Sequence, residues 1–413
     1  MTPHSAHPPE DKPASAAGSA GLVVPQHVTL FAPPATLKLA SGAEFGPVTV
    51  QYETYGTLSP EKDNAILVCH ALSGDAHAAG RLTPEDKEPG WWDVAIGPGK
   101  AFDTNEYFVI CSNILGGCKG TTGAMSPNPA TGRPWGTEFP MITIQDMVAV
   151  QKALVDHLGI RRLLAVSGGS MGGMQALEWA VSYSDMVETI IPVACTHRMS
   201  AQGIAFNEVG RQAIFADPNW NCGDYYNGPS PDSGLAIARM IGHITYLSEK
   251  AMHRKFGRAL RHRNTYAYNF ETEFQVESYL HHQGKKFIQR FDANTYLYIT
   301  KAMDYFDLGA GFPSLRASLK RLKAKTLLVG FSSDWLFPPN DMKEIANALR
   351  SNGADVTFLV IQSDYGHDAF LLETEELTKA LRPFLRYARR HVADRRDRAN
   401  ETPPLSGGEV PVL

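Results

Sequence analysis

A chain of 413 residues exceeds what one compact core needs, so its length implies a large domain with an insertion, or two domains. Hydrophobic residues at 43% and charged residues at 20% fit a soluble globular protein, and a net charge of −4 excludes the basic surface that a nucleic-acid backbone demands. Five cysteines (Cys69, Cys111, Cys118, Cys195 and Cys222) are an odd number without short paired spacings, which argues against a disulfide framework and a thiolate metal site.

Residues 1–21 are rich in Pro, Ala, His and Ser and lack the apolar run of a secretory signal, so they read as a disordered tail. No stretch of about 18 apolar residues follows anywhere, so no membrane span is expected and the chain reads as cytoplasmic. Short apolar runs then recur at 65–69, 107–111, 163–166 and 188–192, and again at 326–329 and 355–361. Runs without alternation suit strands buried on both faces, as in a parallel sheet covered by helices. Helical patterns lie between them, for example at 144–158, where Met147, Val148, Val150, Leu154 and Leu158 share a face. Alternating strands and helices predict a doubly wound α/β sheet.

Between residues 196 and 322 the alternation stops and helical segments dominate, including 235–256 and 274–282. Strand–helix alternation resumes at Thr326. The expectation is one α/β core in two parts, 22–195 and 323–393, with a helical cap at 196–322 inserted between them. A last helix is expected over 374–392, with a kink or break at Pro383, followed by a flexible tail from 394 to 413.

The sharpest motif is G-x-S-x-G at Gly168, Ser170 and Gly172, directly after a predicted strand and before a helical pattern. A serine nucleophile on a tight strand-to-helix turn needs neighbours without Cβ atoms. The amides at the start of the following helix can stabilise negative charge on a substrate oxygen. Alone, the motif is also compatible with an ordinary structural turn. A base and an orienting acid should follow in the order Asp, then His. Asp334 lies in FSSDWLFPP (331–339) just after one predicted strand, and His367 lies in SDYGHDAF (363–370) after the next. Order and strand-end placement together select Ser170, Asp334 and His367 as the catalytic residues. The loop after the 65–69 run supplies a second oxyanion amide, so the backbone N–H groups of Leu72 and Met171 are the expected pair. His70 and His77 lack the companions of a metal site and read as structural.

Several separated segments resemble the homoserine O-acetyltransferases, which have the α/β-hydrolase fold. They are HALSGD (70–75), NILGGCKGTTG (113–123), GGSMGGMQALEW (168–179), AFNEVGRQAI (205–214), IGHITYLS (241–248) and FDANTY (291–296). The resemblance spans roughly residues 30–390. It implies a mostly parallel sheet flanked by helices, an inserted helical cap and a ping-pong transfer serving methionine biosynthesis. In that transfer Ser170 takes the acyl group from acetyl-CoA and passes it to the hydroxyl of L-homoserine. It further implies acetyl-CoA as a co-substrate, no permanently bound cofactor or metal, and a homodimer formed through the cap. An amino-acid acceptor needs a cation for its carboxylate and an anion for its ammonium. Arg211, in the 205–214 segment, and Asp368, beside His367, are the expected partners. Asp368 also suits a helix N-cap. Succinyl-using relatives are expected to carry arginine two residues after the catalytic aspartate; here that position is Leu336, which favours acetyl. The three catalytic residues alone do not separate this reaction from ester hydrolysis, succinyl transfer or acylation of serine.

Overall fold

The computed structural model describes residues 18–401. Most of the expected tail at 1–21 and the end of the expected C-terminal tail therefore lie outside the described residues. Eight strands form one sheet: β1 (Gln26–Leu30), β2 (Val48–Tyr55), β3 (Ala65–Cys69), β4 (Phe108–Ser112), β5 (Leu163–Gly169), β6 (Val187–Val193), β7 (Lys325–Phe331) and β8 (Val356–Ile361). Their spatial order is β1-β2-β4-β3-β5-β6-β7-β8. β1 pairs antiparallel with β2 at one edge and β2 antiparallel with β4, whereas β4, β3, β5, β6, β7 and β8 pair in parallel. The sequence reading found the six parallel strands but missed β1 and β2. β1 has no fully buried residue and β2 mostly alternates between buried and partly exposed ones, so they lack the continuous apolar signature of the others.

Every side chain of β3 and β5 is buried, because both sheet faces are covered. Alternate residues enter different cores. Leu67 and Cys69 join the helices α1 (Ile144–His157) and α2 (Met171–Ser182), and Ile66 and Val68 join α9 (Thr374–Glu401). α1 begins at a capping box in which Thr143 and Asp146 satisfy each other's backbone N–H groups. α9 runs on through Pro383 without the break that was one of the two expected outcomes there, and it continues past residue 394. Leu377, Leu381, Leu385 and Ala388 are buried on one face while Pro383 is exposed, so its ring meets solvent. Beyond residue 394, Arg395 pairs with Glu188 and Arg396 with Asp63, fastening the extension to the core.

Between β6 and β7 the chain forms α3 (Ala201–Phe215), α4 (Asp232–Tyr246), α5 (Glu249–Phe256), α6 (Gln275–Ile288) and α7 (Ala293–Asp304). The one long helix expected at 235–256 is two, because the Ser248 hydroxyl accepts from the Ala251 N–H and starts α5 anew. α8 (Pro339–Ser351) then follows β7. The α4–α5 junction rests on the loops after β7 and β8. Trp335 Nε1–H donates to the Leu247 carbonyl at 2.9 Å, and the Ser248 hydroxyl donates to the Asp364 carbonyl. Gly366, at φ +75°, is pressed so close that a Cβ there would sit 2.4 Å from the Ser248 nitrogen.

Candidate active site

From β3 the chain crosses to β4 on one side, and the next strand, β5, pairs on the other side of β3. The loops leaving the carboxyl ends of β3 and β5 therefore face each other across a topological switch point, where open α/β sheets place their ligands. Ser170 stands at the end of β5, with φ 60° and ψ −124°, a conformation that side-chain-bearing residues rarely adopt. The glycines around it serve packing. A Cβ on Gly168 or Gly172 would lie 2.5 or 2.1 Å from the Cys69 carbonyl oxygen, and one on Gly169 would strike the Phe370 ring.

The structure brings the three selected residues into one hydrogen-bonded chain. The Ser170 hydroxyl donates to His367 Nε2 at 2.8 Å, and His367 Nδ1–H donates to Asp334 Oδ2 at 2.8 Å. Asp334 Oδ1 accepts the amides of Leu336 and Phe337 at 3.0 and 2.9 Å, which fixes the carboxylate against the ring. All three residues are buried. Burial alone would push the His367 imidazole down. The charge and hydrogen bond of Asp334, with the nearby Asp368 carboxylate, overcome that and hold it above its ordinary value.

Leu72 lines the narrow cavity, about 40 Å³, that opens at Ser170. The Met171 amide is the first of α2 and has no intrahelical acceptor. Neither amide donates to another backbone group among the described residues. His70 and Gln175 set the Leu72 loop. His70 Nδ1–H donates to the Ala71 carbonyl and its Nε2 accepts the Ile114 amide, while the Gln175 amide nitrogen donates to both the His70 and Met171 carbonyls. His77 donates to Glu53 Oε2 at 3.0 Å. Both histidines thus hold loop geometry.

Leu336 lies in the lining of the same cavity, with Phe206, Asn207, Tyr246 and Phe337. Asp368 is half-buried and makes no N-cap bond, so the helix-cap alternative is not realised. Burial pushes its carboxyl up, against the pull of His367 and Arg239.

Arg211 departs from expectation. It is absent from the cavity wall and lies one helical turn beyond Asn207, already engaged. Its Nη2 is 2.7 Å from Asp304 Oδ2, and its Nε and Nη2 donate to Glu208 Oε2 at 3.0 and 2.8 Å. A guanidinium paired with two carboxylates has little charge left for a third. Arg239 on α4 is a second arginine of the cap, one that the sequence motifs did not single out. It stacks over the Phe287 and Tyr246 rings at 4.7 and 5.6 Å, donates to the Ser73 hydroxyl at 3.4 Å, and forms no ion pair among the described residues. Arg239, His243 and Tyr246 recur at helical spacing on one face of α4, a signal available in the sequence. The Tyr246 ring lies 5.9 Å from that of His367. Arg239 also borders a wider cavity of about 590 Å³, whose wall includes Ser73, His77, Lys286, Arg290 and Phe370.

A strained serine at a strand-to-helix turn, with histidine and aspartate supplied by later strand ends, defines an α/β-hydrolase-type site. Residues 64–374 match the family described as alpha/beta hydrolase fold. Within that large class, the chain is 59% identical over 352 residues to homoserine O-acetyltransferase of Methanohalobium evestigatum, covering 85% of this chain and 72% of that protein. It is 55% identical to homoserine O-succinyltransferase of Magnetococcus marinus, covering 89% and 95%. Among solved structures, homoserine O-acetyltransferase from Bacillus anthracis superposes with a TM-score of 0.83 at 33% identity, covering 88% of this chain and 98% of that one. Esterase E22 is comparably similar in fold, with a TM-score of 0.82 at 34% identity and coverage of 88% and 100%. The chain belongs to the homoserine O-acetyltransferase family and is an acyltransferase by that membership.

Proposed function

We propose that this enzyme moves an acetyl group from acetyl-CoA to the side-chain hydroxyl of L-homoserine by a ping-pong mechanism, in the cytoplasm and in service of methionine biosynthesis. The observation that carries the reading is the hydrogen-bonded Ser170–His367–Asp334 chain lying beneath a cap that supplies Arg239, in no ion pair among the described residues, near Asp368. His367 Nε2 takes the Ser170 proton as Oγ attacks the thioester carbonyl. The oxyanion is held by the Leu72 and Met171 amides. Collapse breaks the C–S bond, and the imidazolium returns its proton to the leaving thiolate. The homoserine hydroxyl then gives its proton to His367 and attacks the acyl-serine, and collapse breaks the C–Oγ bond as the imidazolium returns that proton to Ser170 Oγ. Asp334 keeps the tautomer that leaves Nε2 free to accept.

Arg239, in place of Arg211, meets the acceptor carboxylate, and Asp368 meets its ammonium. The wider cavity, with Lys286 and Arg290 in its wall, suits the phosphates of the donor. Apolar Leu336 favours acetyl over succinyl. Ile237 and Ile244, exposed on α4, fit burial in a cap-to-cap homodimer. Among the described residues no helix is long and apolar enough to cross a membrane.

Thiol release from acetyl-CoA and succinyl-CoA, each with L-homoserine, L-serine or no acceptor, tests the reading. Homoserine-dependent release from acetyl-CoA is the expected result. Equal release without acceptor would make the enzyme a hydrolase, the alternative that its likeness to esterase E22 favours.

A further inference from the structure

Behind the narrow cavity, α3 and α7 carry a polar assembly that the transfer chemistry leaves unused. Asn207 lines the cavity together with Ser170, Met199, Phe206, Met303 and Leu336. Its amide nitrogen donates to Asp304 Oδ1 at 2.8 Å. The other Asp304 oxygen lies 2.7 Å from Arg211 Nη2, and both side chains of that ion pair are 5% exposed. Arg211 Nη1 also reaches the Thr300 hydroxyl at 3.4 Å.

A carboxylate paired with a guanidinium accepts hydrogen bonds and donates none, so Asp304 dictates which end of the Asn207 amide it meets. The NH2 group faces Asp304. The carbonyl oxygen is the polar atom that Asn207 has left for a ligand, and it accepts no hydrogen bond among the described residues.

We infer that Asn207, oriented by the buried Arg211–Asp304 pair, is a specificity residue that excludes anionic acyl groups. The inference rests on the acyl-transfer reading above and adds a determinant beyond Leu336. An acetyl methyl needs no polar partner and lies comfortably against Leu336 and Phe206. A succinyl carboxylate would shed water only to face an amide oxygen with a second carboxylate behind it. Asp304 and Arg211 are positioning residues, because they act on the acyl group only through Asn207. If Asp304 is made neutral, the amide is free to turn and present its NH2 group, a donor an anion can use.

The test compares acylation of Ser170 by 4-nitrophenyl acetate and mono-4-nitrophenyl succinate, read as the burst of 4-nitrophenol, in the wild type, Asp304→Asn and Asn207→Ala. These esters need neither CoA nor homoserine, so the result stands apart from whether the proposed donor and acceptor are right. That question is read separately, from thiol release by the wild type. Asp304→Asn should raise the succinyl-to-acetyl ratio of acylation rates about tenfold, and Asn207→Ala should raise it in the same direction. Asn207→Ala leaves the ion pair intact and carries the test alone if Asp304→Asn does not fold. Equal losses on both esters, with the ratio unchanged, would mean that the assembly only supports the fold, and the inference would be overturned.

Discussion

Replacing Arg239 by alanine separates the two half-reactions. The guanidinium is half-buried, stacked on Phe287 and in no ion pair among the described residues, so it can give a full charge-assisted pair to an acceptor carboxylate. Such a bond contributes about 1.5–3 kcal/mol, which corresponds to roughly a 10- to 150-fold loss in kcat/KM for homoserine in Arg239→Ala. Acylation of Ser170 by a small neutral ester does not need that carboxylate, so a burst with 4-nitrophenyl acetate should stay near wild type. Arg211→Ala should behave differently. It strands Asp304, whose side chain is 5% exposed, and should cost about 3–5 kcal/mol of stability. Urea titration followed by circular dichroism would measure that cost. If Arg239→Ala slows the burst as much as it slows homoserine use, or if homoserine use is untouched, the assignment of Arg239 is refuted.

Other outcomes follow from the same geometry. Ser170→Ala should reduce thiol release at least about 10⁴-fold and abolish labelling by a serine-directed phosphonate, with both read on the folded variant. Gly172→Ala places a methyl 2.1 Å from the Cys69 carbonyl oxygen, so the loop after β3 must shift. The variant should keep its fold by circular dichroism yet lose most of its burst rate. The base works as neutral imidazole, so acylation should climb as pH rises through the raised His367 value. Asp368→Asn removes one of the anions that raise it, so the midpoint of the pH–burst profile should move to lower pH. A profile that stays put would remove Asp368 from the electrostatics of the base. The same variant should also raise the KM for homoserine.

Ser170, Asp334 and His367 were legible because each sits in a short motif at the end of an apolar run, and the fold converts strand ends into a common rim. Arg211 was misread because a motif tells which residue type is present and not which neighbour has already claimed it. Its partner Asp304 comes from α7, far along the chain, and no local pattern links the two. Arg239 escaped notice because one arginine on an amphipathic helix looks like a solvated residue. Its position emerges only when α4 is laid across the loop of Ser73 and the ring of Phe287. The unbroken α9 is a tertiary effect of another kind: packing of Leu377, Leu381 and Leu385 outweighs one missing hydrogen bond at an exposed proline.

The contacts at the α4–α5 junction have a consequence for how substrates arrive. Trp335 adjoins the acid Asp334 and is hydrogen-bonded to Leu247, Asp364 lies three residues before the base His367 and is hydrogen-bonded to Ser248 at the start of α5, and Gly366, next to His367, packs against Ser248. Lifting the cap away at this point would drag acid and base off Ser170 together. An opened enzyme would be a disarmed one, so traffic of donor and acceptor is best served by passage beneath a cap that stays seated, with chemistry possible only in that closed arrangement.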